Sequence, residues 1–168
     1  LSGESTVKVL ESCCPSIKDG WSVSSLDTDM LLTAIRIATY GNNMAVAKTC
    51  AKCKEENEYD INLSTVIDHF NNCKFDNKVV LKEFVVKLQP LTYKQTTEFS
   101  QKNFQIQQKL SQSEKIQDDN EKKKFISDLF QELAQLKNEI FAASIDSVDI
   151  GDTVVTERDY ISDWLTKL

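Results

Sequence analysis

Cys50-Ala-Lys-Cys53, followed by His69 and Cys73, is the only cluster of metal-capable residues in the 168-residue sequence. Zinc takes four soft or borderline ligands in a tetrahedron, often as a Cys-x2-Cys pair with a second pair further on. Here two residues separate Cys50 from Cys53, fifteen separate Cys53 from His69, and three separate His69 from Cys73. If residues 64–73 form a helix, His69 and Cys73 meet the turn carrying the first pair. Lys52 and Lys54 then offset part of the thiolate charge. Two other readings stay open: reduced thiols with no ligand, and a partial knuckle that keeps the turn without the ion. A redox Cys-x2-Cys starts a helix after a strand. This one joins two strands, which disfavours that chemistry.

Nothing else in the chain assembles a reaction centre. His69 is the only histidine, so no triad can be built from a second one. Four scattered glycines cannot form a phosphate-cradling loop. The pairs Asp27/Asp29 and Asp118/Asp119 sit at a helix start and in a polar stretch, where capping and solvation account for them. Lys122-Lys-Lys124 is a short basic run hemmed by Asp118, Asp119 and Glu121. The function class expected from these residues is structure and assembly, not catalysis.

Twenty basic and 26 acidic side chains give a formal net charge of -6. A general nucleic-acid binder needs a basic stripe, so a zinc-stabilised adaptor for host nucleic acid is disfavoured. No apolar run reaches the roughly 20 residues of a membrane helix, and no membrane contact is expected. A chain of this length buries roughly 70% of its unfolded surface and needs neither metal nor disulfide to form a core. The five cysteines are read as reduced thiols in a cytosolic compartment. The first residues show no signal-peptide pattern, and the absence of an initiator Met suggests that residues upstream are missing.

The elements around the cluster are legible from periodicity. Thr6 to Cys14 reads as a short helix ended by Pro15. Adjacent Cys13 and Cys14 do not share a helical face and are poor joint ligands. Ser24-Ser-Leu-Asp27 is a capping box for a helix that runs through Met30 and Ile37 to Gly41 and is apolar nearly all round. Arg36 near its end favours the helix dipole or pairs with a carboxylate. Alternation over Met44–Cys50 and again over Tyr59–Leu63 predicts an antiparallel hairpin with one wet face. Ser64 is the expected cap of the next helix.

Val79 to Leu88 is β-prone, with a bulge or turn at Glu83, and Pro90 ends it. Thr92 caps a helix towards Leu110. Ser111 to Lys124 reads as linker, loop or frayed joint. Phe125, Leu129, Leu133, Leu136 and Ile140 define an amphipathic helix, widened by Phe130 and Phe141. Its apolar side suits either a core or a partner's groove. Ile145 to Val155 is strand or loop turning near Gly151-Asp152. Thr156-Glu-Arg-Asp159 is a second capping box, before a final helix bearing Tyr160, Ile161, Trp164 and Leu165. The fold class is therefore α+β: a helical domain with a small antiparallel hairpin or sheet carrying the Cys-x2-Cys knuckle, plus C-terminal amphipathic helices. The expected organisation is a mixed domain over 1–110, a polar segment over 111–124, and a helical region over 125–168.

The stretch Leu31 to Gly41, then Thr49-Cys-Ala-Lys-Cys53, then Glu58-Tyr-Asp-Ile-Asn-Leu63 resembles the T4-type bacteriophage baseplate hub family of contractile-tailed phages. Arg36, Tyr40 and Gly41 match the family's helix end, and Cys50 and Cys53 its knuckle. Val79 to Leu91, ending in Leu-Gln-Pro-Leu, is similar to the strand that follows. Val155 to Leu168 is similar to the closing helix. His69 and Cys73 lie outside the matching motifs, and so does an upstream segment that family members carry. The resemblance implies a non-enzymatic structural component of the tail baseplate hub that binds other hub and tail proteins. Its implied location is the virion, after assembly in the host cytoplasm. The alternative is a transient assembly factor absent from the finished particle.

Overall fold

The computed structural model describes residues 2–167. The chain divides into two compact units, Glu4–Phe75 and the chain from Asp76 onward.

The first unit contains α1 (Glu4–Cys13), α2 (Ser25–Tyr40), β1 (Asn43–Thr49), β2 (Glu56–Asn62) and α3 (Leu63–Asn72). Val7 and Leu10 of α1, Thr28 of α2 and Leu63 of α3 are its buried residues. Gly20 is needed beside them, because a Cβ there would stand 3.1 Å from Val7 Cγ1. Ser24 Oγ accepts the Asp27 N–H at 3.1 Å and so starts α2. Gly41 ends it at φ 85°, donating its N–H to Ile37 O at 2.8 Å.

Three expectations change here. α2 was read as apolar on nearly every side and central, but Thr28 is its only fully buried residue and Leu26 is exposed. Within this unit only two ten-residue helices, α1 and α3, are available to cover it. Arg36 stacks its guanidinium 4.5 Å over the Tyr40 ring, and Nη1 has no hydrogen-bond partner among the described residues. It therefore acts through a cation–π contact at the helix end. The cap of α3 is Asn62 instead of Ser64: Asn62 Oδ1 accepts the Ser64 N–H at 3.0 Å. β2 thus runs into the helix without a loop, and asparagine is among the best cap residues.

β1 and β2 form an antiparallel two-stranded ribbon with Asn43 opposite Asn62 and Thr49 opposite Glu56. One dry face was expected. Only Met44 and Val46 are half-buried, and every residue of β2 is exposed. The strands pack chiefly on each other.

The second unit is built on a four-stranded antiparallel sheet in the order β3 (Lys78–Leu81), β4 (Phe84–Leu88), β5 (Ile145–Ile150), β6 (Thr153–Val155). The turn at Lys82-Glu83 joins β3 to β4, with Lys82 at φ 35°; Gly151-Asp152 joins β5 to β6, with Gly151 at φ 57°. Positive φ at such two-residue turns matches the strand twist.

Between β4 and β5 the chain inserts a helical hairpin, α4 (Tyr93–Gln112) and α5 (Asp119–Ser144), joined through a 3-10 turn at Ser113–Lys115. Thr92 and Gln95 make a full capping box at its start. The polar stretch over 111–124, read as linker, loop or frayed joint, is the joint between two helices of one unit, with the end of α4 and the start of α5 running into it. Asp118 Oδ1 accepts the Asn120 and Glu121 N–H groups at 2.9 and 2.8 Å, which satisfies the first turn of α5. Ile106, Leu129 and Leu136 form the hairpin core, flanked by Phe99, Phe125, Leu133 and Ile140.

α6 (Arg158–Leu165) covers the sheet through Ile161, which joins Val86, Ile145 and Val148 in a second core. Its cap is Glu157, one residue after the expected Thr156, and no side-chain bond forms there. The fold is α+β, with six helices and two antiparallel sheets among the described residues.

Candidate functional site

Cys50 to Glu55 form the tip of the β1–β2 ribbon. Cys50 N–H donates to Glu55 O at 2.8 Å, and Lys54 N–H donates back to Cys50 O at 2.9 Å. Lys54 closes the turn at φ 62°, a conformation usually left to glycine or asparagine. What lowers the pKa of Cys50 is, in order, the Cys53 backbone N–H, the Lys52 backbone N–H and the Cys53 thiol, all within this turn. Each contact favours the thiolate, so the Cys50 thiol ionises more readily than an ordinary cysteine, against a smaller opposing cost of burial. Cys53 Sγ lies 3.9 Å from Glu55 Oε2.

The second pair occupies the end of α3. His69 and Cys73 are one turn apart, and Cys73 Sγ lies 3.5 Å from His69 Nε2. The His69 ring also meets Phe70 edge-on at 6.5 Å. Cys73 is the C-terminal cap, donating its N–H to His69 O at 3.0 Å. Both pairs belong to the same unit. The fold thus brings Cys50 to Cys53 and His69 to Cys73, but among the described residues no three such donors gather in one cluster. Cys13 and Cys14 are free thiols on and just after α1.

The second unit offers surfaces in place of donors. Phe130 and Phe141 of α5 are 63% and 60% exposed. Eleven residues is close to three helical turns, so the two rings lie on one line of the helix. Sequence periodicity counts both as a widening of an apolar side suited to a core or to a partner's groove; the facing helix α4 is met by Leu129, Leu133, Leu136 and Ile140, and the two rings stay outside that core. Lys102 Nζ–Glu139 Oε2 at 2.6 Å and Lys109 Nζ–Glu132 Oε2 at 2.7 Å tie α4 to α5. The sequence reading missed these pairs, because which charges face each other depends on the helix register. A shallow apolar cleft between the same helices is lined by Leu91, Thr96, Phe99, Leu133 and Ile140. Thr96 Oγ1 is buried there without a hydrogen-bond partner. No described helix is long and apolar enough to cross a membrane.

The described residues thus expose a thiol turn, a ribbon and two aromatic rings on α5. A family model described as T4 bacteriophage base plate protein matches residues 3–168. The chain belongs to that family, whose membership implies a place in the phage tail baseplate and contact with other baseplate proteins. Comparison with curated proteins and with solved structures gives no match.

Proposed function

We propose that this protein is a structural component of the baseplate hub, binding other hub and tail proteins during tail assembly in the host cytoplasm and performing no catalysis. The observation that carries the proposal is the family match over residues 3–168. The large apolar side chains left uncovered in the second unit support it. Val80, Phe130, Phe141 and Tyr160 are all exposed, and the two rings of α5 lie on one line of that helix, open to a neighbouring protein. The acidic balance of the chain suits neighbours with basic faces.

Quantitative mass spectrometry of purified phage particles tests this reading. A fixed copy number per tail supports a resident hub component. Presence in assembly intermediates with absence from finished particles supports the second reading, a transient assembly factor. Co-purification with other tail proteins from infected cells is expected in either case.

A further inference from the structure

We infer that an extended, basic segment of another tail protein adds as a further strand along the free edge of β6, with an aliphatic side chain entering the cavity between the sheet and α6. β6 has β5 on one side and no strand on the other among the described residues. Ile150 and Thr153 flank a two-residue turn and so exchange hydrogen bonds, which sends the Val154 N–H and C=O outward, away from β5. Proteins usually guard such an edge with lysine, proline or a covering segment. Here Thr153 and Val154 are exposed and uncharged. β3, at the opposite edge, has Lys78 within it and Lys82 just after it.

An apolar cavity lies beside this edge. Val148, Ile150, Val155, Tyr160, Ile161 and Trp164 enclose about 100 Å3. A cavity of about 150 Å3 takes a benzene ring, so this one suits an aliphatic side chain. Val155 and Tyr160 also wall a second cleft, which reaches Val154 and Glu157. Val155 packs with Val148 on the sheet face that α6 covers. A strand laid along Val154 turns every second side chain to that same face, where the cavity is. In strand addition of this kind, main-chain bonds supply affinity and the pocket selects the side chain. Charge selects the rest. Asp152 before β6, Glu157 at the cap of α6, and Asp159 and Asp163 on α6 are all exposed, and none is in an ion pair among the described residues. Arg158 is the one basic side chain between Ile150 and Leu165. Such a rim attracts a basic segment and repels a second copy of this chain, which would set the same carboxylates against each other. Only the source of the segment rests on the reading of this protein as a partner of other tail proteins.

The test is an NMR titration of the full chain with a capped peptide of alternating lysine and valine. Saturable shifts are expected at the Ile150, Val154 and Tyr160 amides and at the Trp164 indole, with slowed hydrogen exchange of the Val154 amide. Serine in place of the probe's valines should weaken binding about tenfold or more, the worth of burying one aliphatic side chain. Glutamate in place of its lysines should abolish binding. Val154→Pro removes the outward donor and spares the bonds to β5, since an edge strand accepts proline where its N–H faces solvent. It should abolish binding. The shifts and exchange of the unsubstituted chain stand however that variant folds. The proposal fails if the probe does not bind, if the shifts fall elsewhere, if the serine probe binds equally, or if folded Val154→Pro keeps full affinity. Concentration-dependent shifts at Val154 without probe would give the edge to a second copy and overturn it as well. A chain resident in tails that ignores the probe loses this groove alone. A chain that binds the probe but is missing from tails and their intermediates loses the hub reading alone.

Discussion

Lys54 donates its N–H to Cys50 O at 2.9 Å and, at φ 62°, closes the Cys-x2-Cys turn back on the Cys50 side chain. The Cys53 N–H, then the Lys52 N–H and the Cys53 thiol, favour the thiolate, so the Cys50 thiol ionises more readily than an ordinary cysteine. The thiolate is the reactive form, and a lower pKa raises its fraction faster than it lowers its intrinsic nucleophilicity. Cys50 should therefore react with iodoacetamide faster near neutral pH than the cysteine of an unstructured reference peptide. The gap should close as pH rises and the reference thiol ionises as well. Time-resolved peptide mass spectrometry reads the order. Equal rates at neutral pH would show that the turn does not favour the thiolate.

Ile161 is the single α6 residue sealed against the sheet, at 1% exposure beside Val86, Ile145 and Val148. Phe84 and Trp164 meet edge-on over the same core at 5.1 Å. Truncating a buried isoleucine removes its transfer energy and leaves a cavity, together about 3 kcal/mol. Ile161→Ala should lower the stability of this unit by that amount in urea titrations. Trp164 fluorescence, read in a Trp21→Phe background, reports on the right unit. A loss below about 1 kcal/mol would mean that α6 is not seated as described.

The Lys102–Glu139 pair has a short 2.6 Å contact, but its side chains are 53% and 39% exposed. Water and salt screen such a pair, and ordering two long side chains costs entropy. A double-mutant cycle with Lys102→Met and Glu139→Gln should give a coupling under about 1 kcal/mol, falling further in high salt. Leu136→Ala, in the core between the same helices, should cost about 3 kcal/mol. If the ion pair proved the larger contribution, the hairpin would be held by charge and not by its apolar seam.

The parts of the fold that sequence made visible are those set by local chemistry. Thr92 before α4, Gly41 after α2, and Gly151-Asp152 between β5 and β6 each satisfy a backbone requirement within a few residues. The periodicity of Phe125, Leu129, Leu133, Leu136 and Ile140 located α5 for the same reason. What stayed hidden depends on distant partners. β4 and β5 pair across the whole helical hairpin, Phe84 opposite Ile150, and Gln89 N–H reaches Ser144 O at 2.8 Å to close its base. No short-range pattern announces that insertion. The 111–124 stretch stayed open between linker, loop and helix joint because its composition is polar, whereas Asp118 supplies the cap that composition alone does not weigh. At the candidate site, spacing located the Cys50/Cys53 turn and the His69/Cys73 helical pair. The left-handed Lys54 that shapes the turn had no signal, since lysine does not advertise that conformation.

Phe130 and Phe141 differ from the core residues of α5 in a way that separates binding from folding. They lie on one exposed line, three turns apart, while Leu129 and Leu136 face α4. Large aromatic rings held in water are costly only until a partner covers them, and aromatic anchors dominate the energy of protein interfaces. Phe130→Ser with Phe141→Ser should therefore leave the urea midpoint within about 0.5 kcal/mol of the parent. The same double variant should be recovered less in complexes with other tail proteins, and it should lower the yield of completed tails when supplied in trans to a deficient phage. Substituting Asp128 and Glu121, charged residues of the same helix, provides the control and should leave both readouts unchanged. Loss of stability together with loss of assembly would assign the rings to the fold. Full assembly by the double variant would remove this stripe from the set of contact surfaces and leave Val80 and Tyr160 as the apolar positions to test.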